Sequence, residues 1–188
     1  MMVTPVSGLS NAIFAGRIKF LCLISLFLMI FSSNVITIFI KKNKKFRQGI
    51  FKPINFQKYI GKGNPTYRSG WELKFFRWAD LNENILAWGS ENIIIPYLNP
   101  LDGKVHRYFV DNYIVFKDRN GNKNKFLIEI KPSKQTQRPV KTKYKKQKTI
   151  LYEQKMYVQN TAKWKAANEW SKKKNCKFLI LTEKELNI

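Results

Sequence analysis

The chain has 188 residues, enough for one domain of ordinary size with an appendage. Its cysteines are Cys22 and Cys176 and its one histidine is His106, so a disulfide framework, a Cys/His zinc site and a Ser-His-Asp triad are poorly supported. The formal net charge is +23, and after residue 40 the chain holds 33 basic and 12 acidic residues. This charge favours a polyanionic partner, with nucleic acid as the first candidate, but does not separate a DNA-cleaving enzyme from a passive binder.

The N-terminal forty residues differ from the rest. Residues 20–40 form an uncharged, mostly apolar run of 21 residues, long enough to cross a bilayer as a helix. Basic residues follow it, so the positive-inside rule would leave the remainder in the cytoplasm. A membrane anchor, a signal peptide and a reading frame extended upstream of its true start all stay open. We expect residues 1–45 to be this extension with its basic flank, and residues 46–188 to be the folded domain with a basic arm.

The first helix of the domain is predicted from Ser69 onward, because Trp71, Phe75, Phe76 and Trp78 recur at helical spacing. Glu72 follows Ser69 by three residues and fits a capping box, in which the acid binds a backbone N–H. It equally fits an acid near the start of a helix that helps to hold a cation. The sequence leaves both interpretations open.

Short strands are predicted at residues 85–88 and 92–97, then a strand that contains residues 108–111, and then a buried strand at residues 126–130. The Asn120-Gly121 pair marks a turn between the last two strands. A two-residue loop would place Asp111 opposite Ile130. A three-residue loop with Gly121 in the left-handed conformation places Asp111 opposite Glu129 instead.

Opposed carboxylates repel unless a cation neutralises them. Lys131 lies on the same strand face as Glu129, about 6.6 Å further along at roughly 3.3 Å per residue. Carboxylate oxygens with phosphate and water are the ligands that Mg²⁺ prefers, and Mn²⁺ is a possible substitute. Asp111, Glu129 and Lys131 therefore indicate a metal-dependent nuclease site. The alternative is a solvated hairpin face, on which Lys131 pairs with either acid for about 0–1 kcal/mol.

Residues 131–148 contain eight basic side chains and no acid. Prolines keep the first half of residues 131–148 extended, so this segment, called the basic arm below, is placed to bind DNA phosphates, although such charge runs are often only solvated. A helical region is predicted at about residues 143–174, interrupted near Asn160-Thr161 with Asn160 as a cap, followed by a strand at residues 178–181. The order αββββαβ suggests an α/β fold with a mixed sheet flanked by helices. Expected DNA contacts are Arg68, Lys134, Gln137, Arg138, Lys141 and Lys143.

An acid on the first helix, an acid on a strand and Glu-x-Lys on the next strand form the pattern of the PD-(D/E)xK nuclease superfamily. The bare pattern is weak, because Asp-x(n)-Glu-x-Lys arises often by chance. Val110 stands where the superfamily's name has proline, a common departure. The segments that carry a closer likeness are Thr-Tyr-Arg-Ser-Gly-Trp-Glu at 66–72, Trp-Gly-Ser-Glu at 88–91, Arg-Tyr-Phe-Val-Asp at 107–111, Ile-Glu-Ile-Lys-Pro at 128–132 and Lys-Trp-Lys-Ala-Ala at 163–167.

In this order the segments resemble the head completion nucleases of contractile-tailed phages, which are similar to TnsA-type endonucleases. The resemblance covers residues 46–188 and implies a restriction-endonuclease-like fold. It implies that Asp111 and Glu129 bind Mg²⁺, that Glu72 helps to bind a second metal ion, and that Lys131 orients or activates water for DNA hydrolysis. It also implies action on DNA ends in a filled capsid, with capsid or neck proteins as partners, in the virion or host cytoplasm. A non-catalytic DNA-end-binding head component is the alternative function.

Overall fold

The computed structural model describes residues 48–186. The apolar run at 20–40 and the basic flank up to residue 47 lie outside the described residues, so the expectations for this extension and for the boundary at 45/46 stay predictions. Across residues 48–186, none of the helices combines the length and the apolar character needed to cross a membrane.

The central sheet has four strands: β3 (Ile85–Ser90), β6 (Asn112–Lys117), β7 (Lys123–Ile130) and β8 (Lys177–Leu181). They lie in the order β3-β6-β7-β8, with antiparallel β3–β6 and β6–β7 pairs and a parallel β7–β8 pair. Two antiparallel pairs lie apart from it: β1 (Gly49–Ile50) with β2 (Thr66–Tyr67), and β4 (Ile94–Asn99) with β5 (Lys104–Phe109). The helices are α1 (Gly70–Leu81) and α2 (Gln147–Lys173).

The two helices cover opposite faces of the central sheet. Phe76 of α1 packs on Trp88, with ring centroids 5.4 Å apart. Trp88 pairs across the strands with Ile114, and Ile114 pairs with Phe126 of β7, so these side chains share one face of the sheet. The next residue, Leu127, points to the other face and belongs to a core cluster with Ala167 of α2. Residues 126–130 are therefore all buried. The mixed sheet with helices on both faces confirms the predicted restriction-endonuclease-like architecture.

The element order of residues 48–186 contains three strands more than predicted, because β1 and β2 precede α1 and five strands instead of four lie between α1 and α2. The chain bends at Val110 and Asp111, so the single strand predicted through residues 108–111 is divided: β5 ends at Phe109, and β6 starts separately at Asn112. Backbone hydrogen bonds from Val110 to the Ile93 carbonyl (3.1 Å) and from the Glu91 N–H to the Asp111 carbonyl (3.2 Å) hold this bend. As a result β4 and β5 form a ribbon of their own, outside the central sheet.

The predicted interruption of the long helix is wrong. α2 runs unbroken through Asn160 and Thr161, and it starts at Gln147 instead of about residue 143. The Thr161 hydroxyl donates to the Tyr157 carbonyl four residues earlier (2.8 Å), so it is satisfied without a break in the helix. Asn160 is no cap: it is buried, and it lines the cleft described below.

Asp80, at the end of α1, anchors the segment that leads into the domain. Its buried carboxylate accepts hydrogen bonds from the backbone N–H groups of Ile54 (2.8 Å) and Asn55 (3.2 Å). Asp80→Ala leaves both donors without a partner, and we expect it to lower the free energy of unfolding by about 2–4 kcal/mol. Asp80→Asn keeps one acceptor and should lose roughly half as much. Urea unfolding of the three proteins measures both, and an alanine variant as stable as wild type would contradict the anchoring role.

Candidate active site

The β6–β7 hairpin has the register predicted for a three-residue loop. Its pairs run from Lys117 with Lys123 to Asn112 with Ile128. The Asp118 N–H donates to the Asn122 carbonyl (3.0 Å), which leaves residues 119–121 as the loop, and Gly121 has φ +83°. A glycine reaches this left-handed conformation without the strain that a Cβ would add. The turn chemistry thus sets which residues of the two strands face each other.

Asp111 directly precedes β6, and the same register continued by one pair places it opposite Glu129. Lys131 connects the two acids: its Nζ lies 3.3 Å from Asp111 Oδ2 and 3.0 Å from Glu129 Oε1. The Ile130 N–H also donates to Asp111 Oδ2 (2.9 Å). The structure thus brings together the three residues that strand parity had grouped.

Burial makes this cluster chemically unusual. The Glu129 side chain is 3% exposed and that of Asp111 is 23% exposed. Removal from water and the nearby charge of Glu129 raise the pKa of Asp111 to about 7, against the opposing effect of Lys131. Two acids held together at this cost are typical of a site that receives a further cation.

Lys131 is an ammonium ion at neutral pH. Burial alone would lower its pKa, but the charges of Asp111 and Glu129, and its hydrogen bonds to both, raise the pKa above the usual value for lysine. In this state Lys131 donates hydrogen bonds and accepts no proton. It is suited to hold a phosphate oxygen or to orient a water molecule.

Tyr108 is a site residue that the sequence did not single out. Its buried hydroxyl donates to Glu129 Oε2 (2.6 Å). Burial and the charge of Glu129 raise the pKa of this phenol, which therefore stays protonated and remains a donor. Tyr108 fixes one oxygen of Glu129 while Lys131 contacts the other.

The acids line a cleft of about 330 Å³ between the β5 strand, the end of β7 and helix α2. Glu129 lies two residues after Leu127 on β7, so its side chain points to the same face of the sheet as Leu127, toward α2. The cleft is lined by Arg107, Tyr108, Phe109, Asp111, Glu129, Lys131, Gln135, Met156, Asn160 and Lys163. Nothing in the local sequence marked the α2 residues, because only the folding of the helix across the sheet brings them here.

Glu72 serves as a helix cap in this structure. Its carboxylate accepts from the Arg68 N–H (2.9 Å) and from the Ser69 hydroxyl (3.0 Å), and Ser69 Oγ accepts from the Glu72 N–H (3.1 Å). Its charge still contributes to the raised pKa of Asp111. No cluster of three or more His, Cys, Asp or Glu side chains that could hold a metal occurs within residues 48–186. The close acidic pair is Asp111 with Glu129, and a metal role for Glu72 stays a prediction.

The predicted DNA contacts come from two segments of the chain. Arg68 is exposed and forms an ion pair with Glu91, whose hydrogen bond and charge raise the pKa of the guanidinium. The Lys134 side chain is 77% exposed, and its Nζ lies 4.0 Å from Glu153 Oε1. The other four residues are exposed in the irregular segment between β7 and α2: Gln137, Arg138, Lys141 and Lys143. Their contact with DNA stays a prediction.

Comparison with known proteins places this geometry in a family. A family model described as the TnsA-like endonuclease N-terminal domain matches residues 82–183, more than half of the chain. The chain belongs to the TnsA-like endonuclease family. It is also similar to a protein named head completion nuclease from Enterobacteria phage T4, with 46% identity over 141 residues that cover 72% of this chain and 90% of that protein. Both findings confirm the resemblance seen in the sequence.

The limits of the matched region bear on the site of this TnsA-like endonuclease. Asp111, Glu129 and Lys131 lie inside residues 82–183, as do all the cleft-lining residues. Arg68 and Glu72 precede the matched region. The family match therefore covers the acidic pair, whereas the acid on the first helix rests on the sequence pattern of residues 66–72.

Proposed function

We propose that this TnsA-like endonuclease is a metal-dependent nuclease that hydrolyses DNA phosphodiester bonds and processes DNA ends during phage head completion. The observation that carries the proposal is the buried Asp111–Glu129 pair with Lys131 between the two acids, at the wall of an open cleft. The head-completion setting is taken from the name of the phage relative.

The donor set fits Mg²⁺, and Mn²⁺ by the same chemistry. Mg²⁺ commonly uses one or two carboxylates and completes its shell with water and phosphate oxygens, so the Asp111–Glu129 pair is sufficient. The pKa of Asp111 is raised first by burial and then by the charge of Glu129, and Lys131 offsets only part of this rise. When bound, the cation would polarise a phosphoryl oxygen and ease deprotonation of water. Glu72 would support a second cation if it left its cap.

The chain's own residues supply the positioning. The Tyr108 hydroxyl fixes Glu129, and the Ile130 N–H fixes Asp111, so both carboxylates are held before substrate arrives. The Lys131 ammonium faces the cleft, where it would donate to a phosphate oxygen or to the attacking water. Hydrolysis would then add water across the phosphorus–oxygen bond and release one phosphate end and one hydroxyl end.

The basic arm would hold the DNA next to the cleaved bond. Lys134, Gln137, Arg138, Lys141 and Lys143 follow Lys131 within one irregular segment, so the phosphates next to the site lie within its reach. By the same setting we propose capsid or neck proteins as further partners and the virion or host cytoplasm as location. A membrane location would depend on the apolar run at 20–40.

Cleavage by the full chain tests the proposal. We expect linear and circular double-stranded DNA to be cut with Mg²⁺ or Mn²⁺ and to stay intact in EDTA, as followed by gel electrophoresis. A non-catalytic DNA-end-binding head component, favoured by the basic exposed arm alone, would bind DNA in a gel-shift assay without cutting in either condition. Binding without metal-dependent cutting would therefore reject the nuclease in favour of that alternative.

A further inference from the structure

The outer face of the β4–β5 ribbon is apolar and exposed. Along both strands the side chains alternate, and the outward ones form the cross-strand pairs Ile94 with Phe109 and Leu98 with Val105. Their exposed fractions are 41%, 42%, 63% and 71%. Of these four residues, Phe109 alone lines the catalytic cleft.

Phe109 is fixed next to the reactive groups by its neighbours. Tyr108 turns inward to hold Glu129, so the following residue must point outward, onto the rim of the same cleft. The Arg107 guanidinium carbon lies 5.0 Å from the centroid of the Phe109 ring, and Arg107 also lines the cleft. The rim thus presents an aromatic ring with a cation against it, close to Asp111.

A ring left exposed beside a cleft is suited to a flat, apolar surface on the ligand. A nucleobase offers such a surface, and its attached phosphate carries the negative charge that Arg107 and Lys131 would meet. A base inside a duplex has both faces covered, and freeing it costs several kcal/mol, whereas an unpaired base is already available.

We propose that Phe109, supported by Arg107, is a stacking site for an unpaired DNA base next to the cleaved bond. This inference rests on the proposed nuclease function and adds the substrate class: frayed, overhanging or single-stranded DNA is bound in preference to fully paired DNA. The apolar pair at the far end of the ribbon, Leu98 with Val105, has no part in it.

The test compares two labelled DNAs of the same duplex sequence, one linear with a short unpaired overhang and one closed into a relaxed covalent circle without unpaired bases. Binding is measured in EDTA by fluorescence anisotropy with the full chain and three variants: Phe109→Ala, Phe109→Trp and Val105→Ala. Val105 lies on the same face of the same strand, about 13 Å from Phe109 at 3.3 Å per residue, and is the matched control. Thermal melting checks that each variant is folded.

We expect Phe109→Ala to raise the Kd for the overhang DNA roughly tenfold and to leave the Kd for the closed DNA nearly unchanged. Phe109→Trp should keep the preference, and Val105→Ala should bind as wild type. Equal binding of overhang DNA by Phe109→Ala and wild type would overturn the proposal. Equal losses in Phe109→Ala and Val105→Ala would also overturn it, because they would show a general effect of the ribbon face on DNA binding instead of stacking at Phe109. Failure of the nuclease function shows separately, as a wild type that prefers the overhang but cuts neither DNA with Mg²⁺.

Discussion

Asp111→Asn is expected to abolish metal-dependent DNA cleavage and, at the same time, to raise the thermal stability of the metal-free protein at pH 8. The activity is lost because the variant removes one of the two charges that would hold the cation. DNA binding should be retained, since the asparagine still accepts from the Ile130 N–H and the basic arm is unchanged. Gel-based cleavage with Mg²⁺ and DNA binding in EDTA measure the two effects. Glu129→Ala is expected to abolish cleavage in the same way.

The stability gain follows from the pKa of Asp111. An aspartate in an unfolded chain has a pKa of about 4, and the folded value is raised to about 7. Between these values the folded state binds more protons than the unfolded state, so stability falls as pH rises through this window. In wild type, ionisation of the buried Asp111 carboxyl therefore lowers the folding stability fully at pH 8 and very little at pH 4. The asparagine variant has no carboxyl to ionise and does not lose this stability.

Asp118→Asn is the matched control for this prediction. Asp118 lies in the β6–β7 turn, where burial would raise its pKa, but hydrogen bonds from Asn122, Asn124 and Asn120 lower it overall. A lowered pKa gives stability above about pH 4 that is lost on acidification, so this variant should be slightly less stable than wild type at pH 8 and should cleave normally. An Asp111→Asn protein that cuts DNA, or that melts below wild type in EDTA at pH 8, would contradict our account of the site.

Lys131→Met is expected to lower the cleavage rate by roughly a hundredfold to a thousandfold, the loss that follows removal of a preorganised donor to a developing charge. Its effect on stability should be opposite to that of Asp111→Asn. The raised pKa of Lys131 means that its stabilising contribution is present throughout the range below about 10 and is lost only above it. The methionine variant leaves Asp111 and Glu129 facing each other without a cation and should melt below wild type in EDTA at pH 8.

The double variant Asp111→Asn with Lys131→Met separates this electrostatic account from simple damage to the fold. Asp111→Asn should raise stability by more in the Lys131→Met background than in wild type, because without Lys131 the repulsion between Asp111 and Glu129 is not offset and the effects of contacting residues are not additive. Lys134→Met, which changes an exposed lysine three residues later, should leave melting unchanged. An equal gain from Asp111→Asn in both backgrounds would show that Lys131 does not act through Asp111.

The acidic pair could be predicted from sequence because local rules determine it. Strand parity groups Glu129 with Lys131, and a glycine able to adopt φ +83° at position 121 selects the loop that puts Asp111 opposite Glu129. The capping interpretation of Glu72 was equally local, and its hydrogen bonds are present. The metal role of the same residue depends on distances across the fold, which spacing does not supply.

The remaining features depend on contacts between segments far apart in the chain. The bend at Val110 is held by Ile93 and Glu91, and it is this bend that frees the β4–β5 ribbon and places Tyr108 on Glu129. Asparagine favours helix caps, so the local sequence predicts a break at Asn160. In the fold, Asn160 is buried inside an unbroken α2 and lines the cleft. Local preference was overruled by tertiary packing at this position.

The parallel pairing of β7 with β8 bears on when the nuclease site forms during synthesis. The strand that carries Glu129 lies between β6 and β8, and the Lys131 N–H donates to the Leu181 carbonyl (3.0 Å) at the end of β8. Residues 177–181 leave the ribosome only after the whole of α2, so the strand that carries Glu129 lacks its second neighbour until α2 has been made. A chain that stops before Lys177 keeps every predicted catalytic residue but lacks the strand that holds two of them in place.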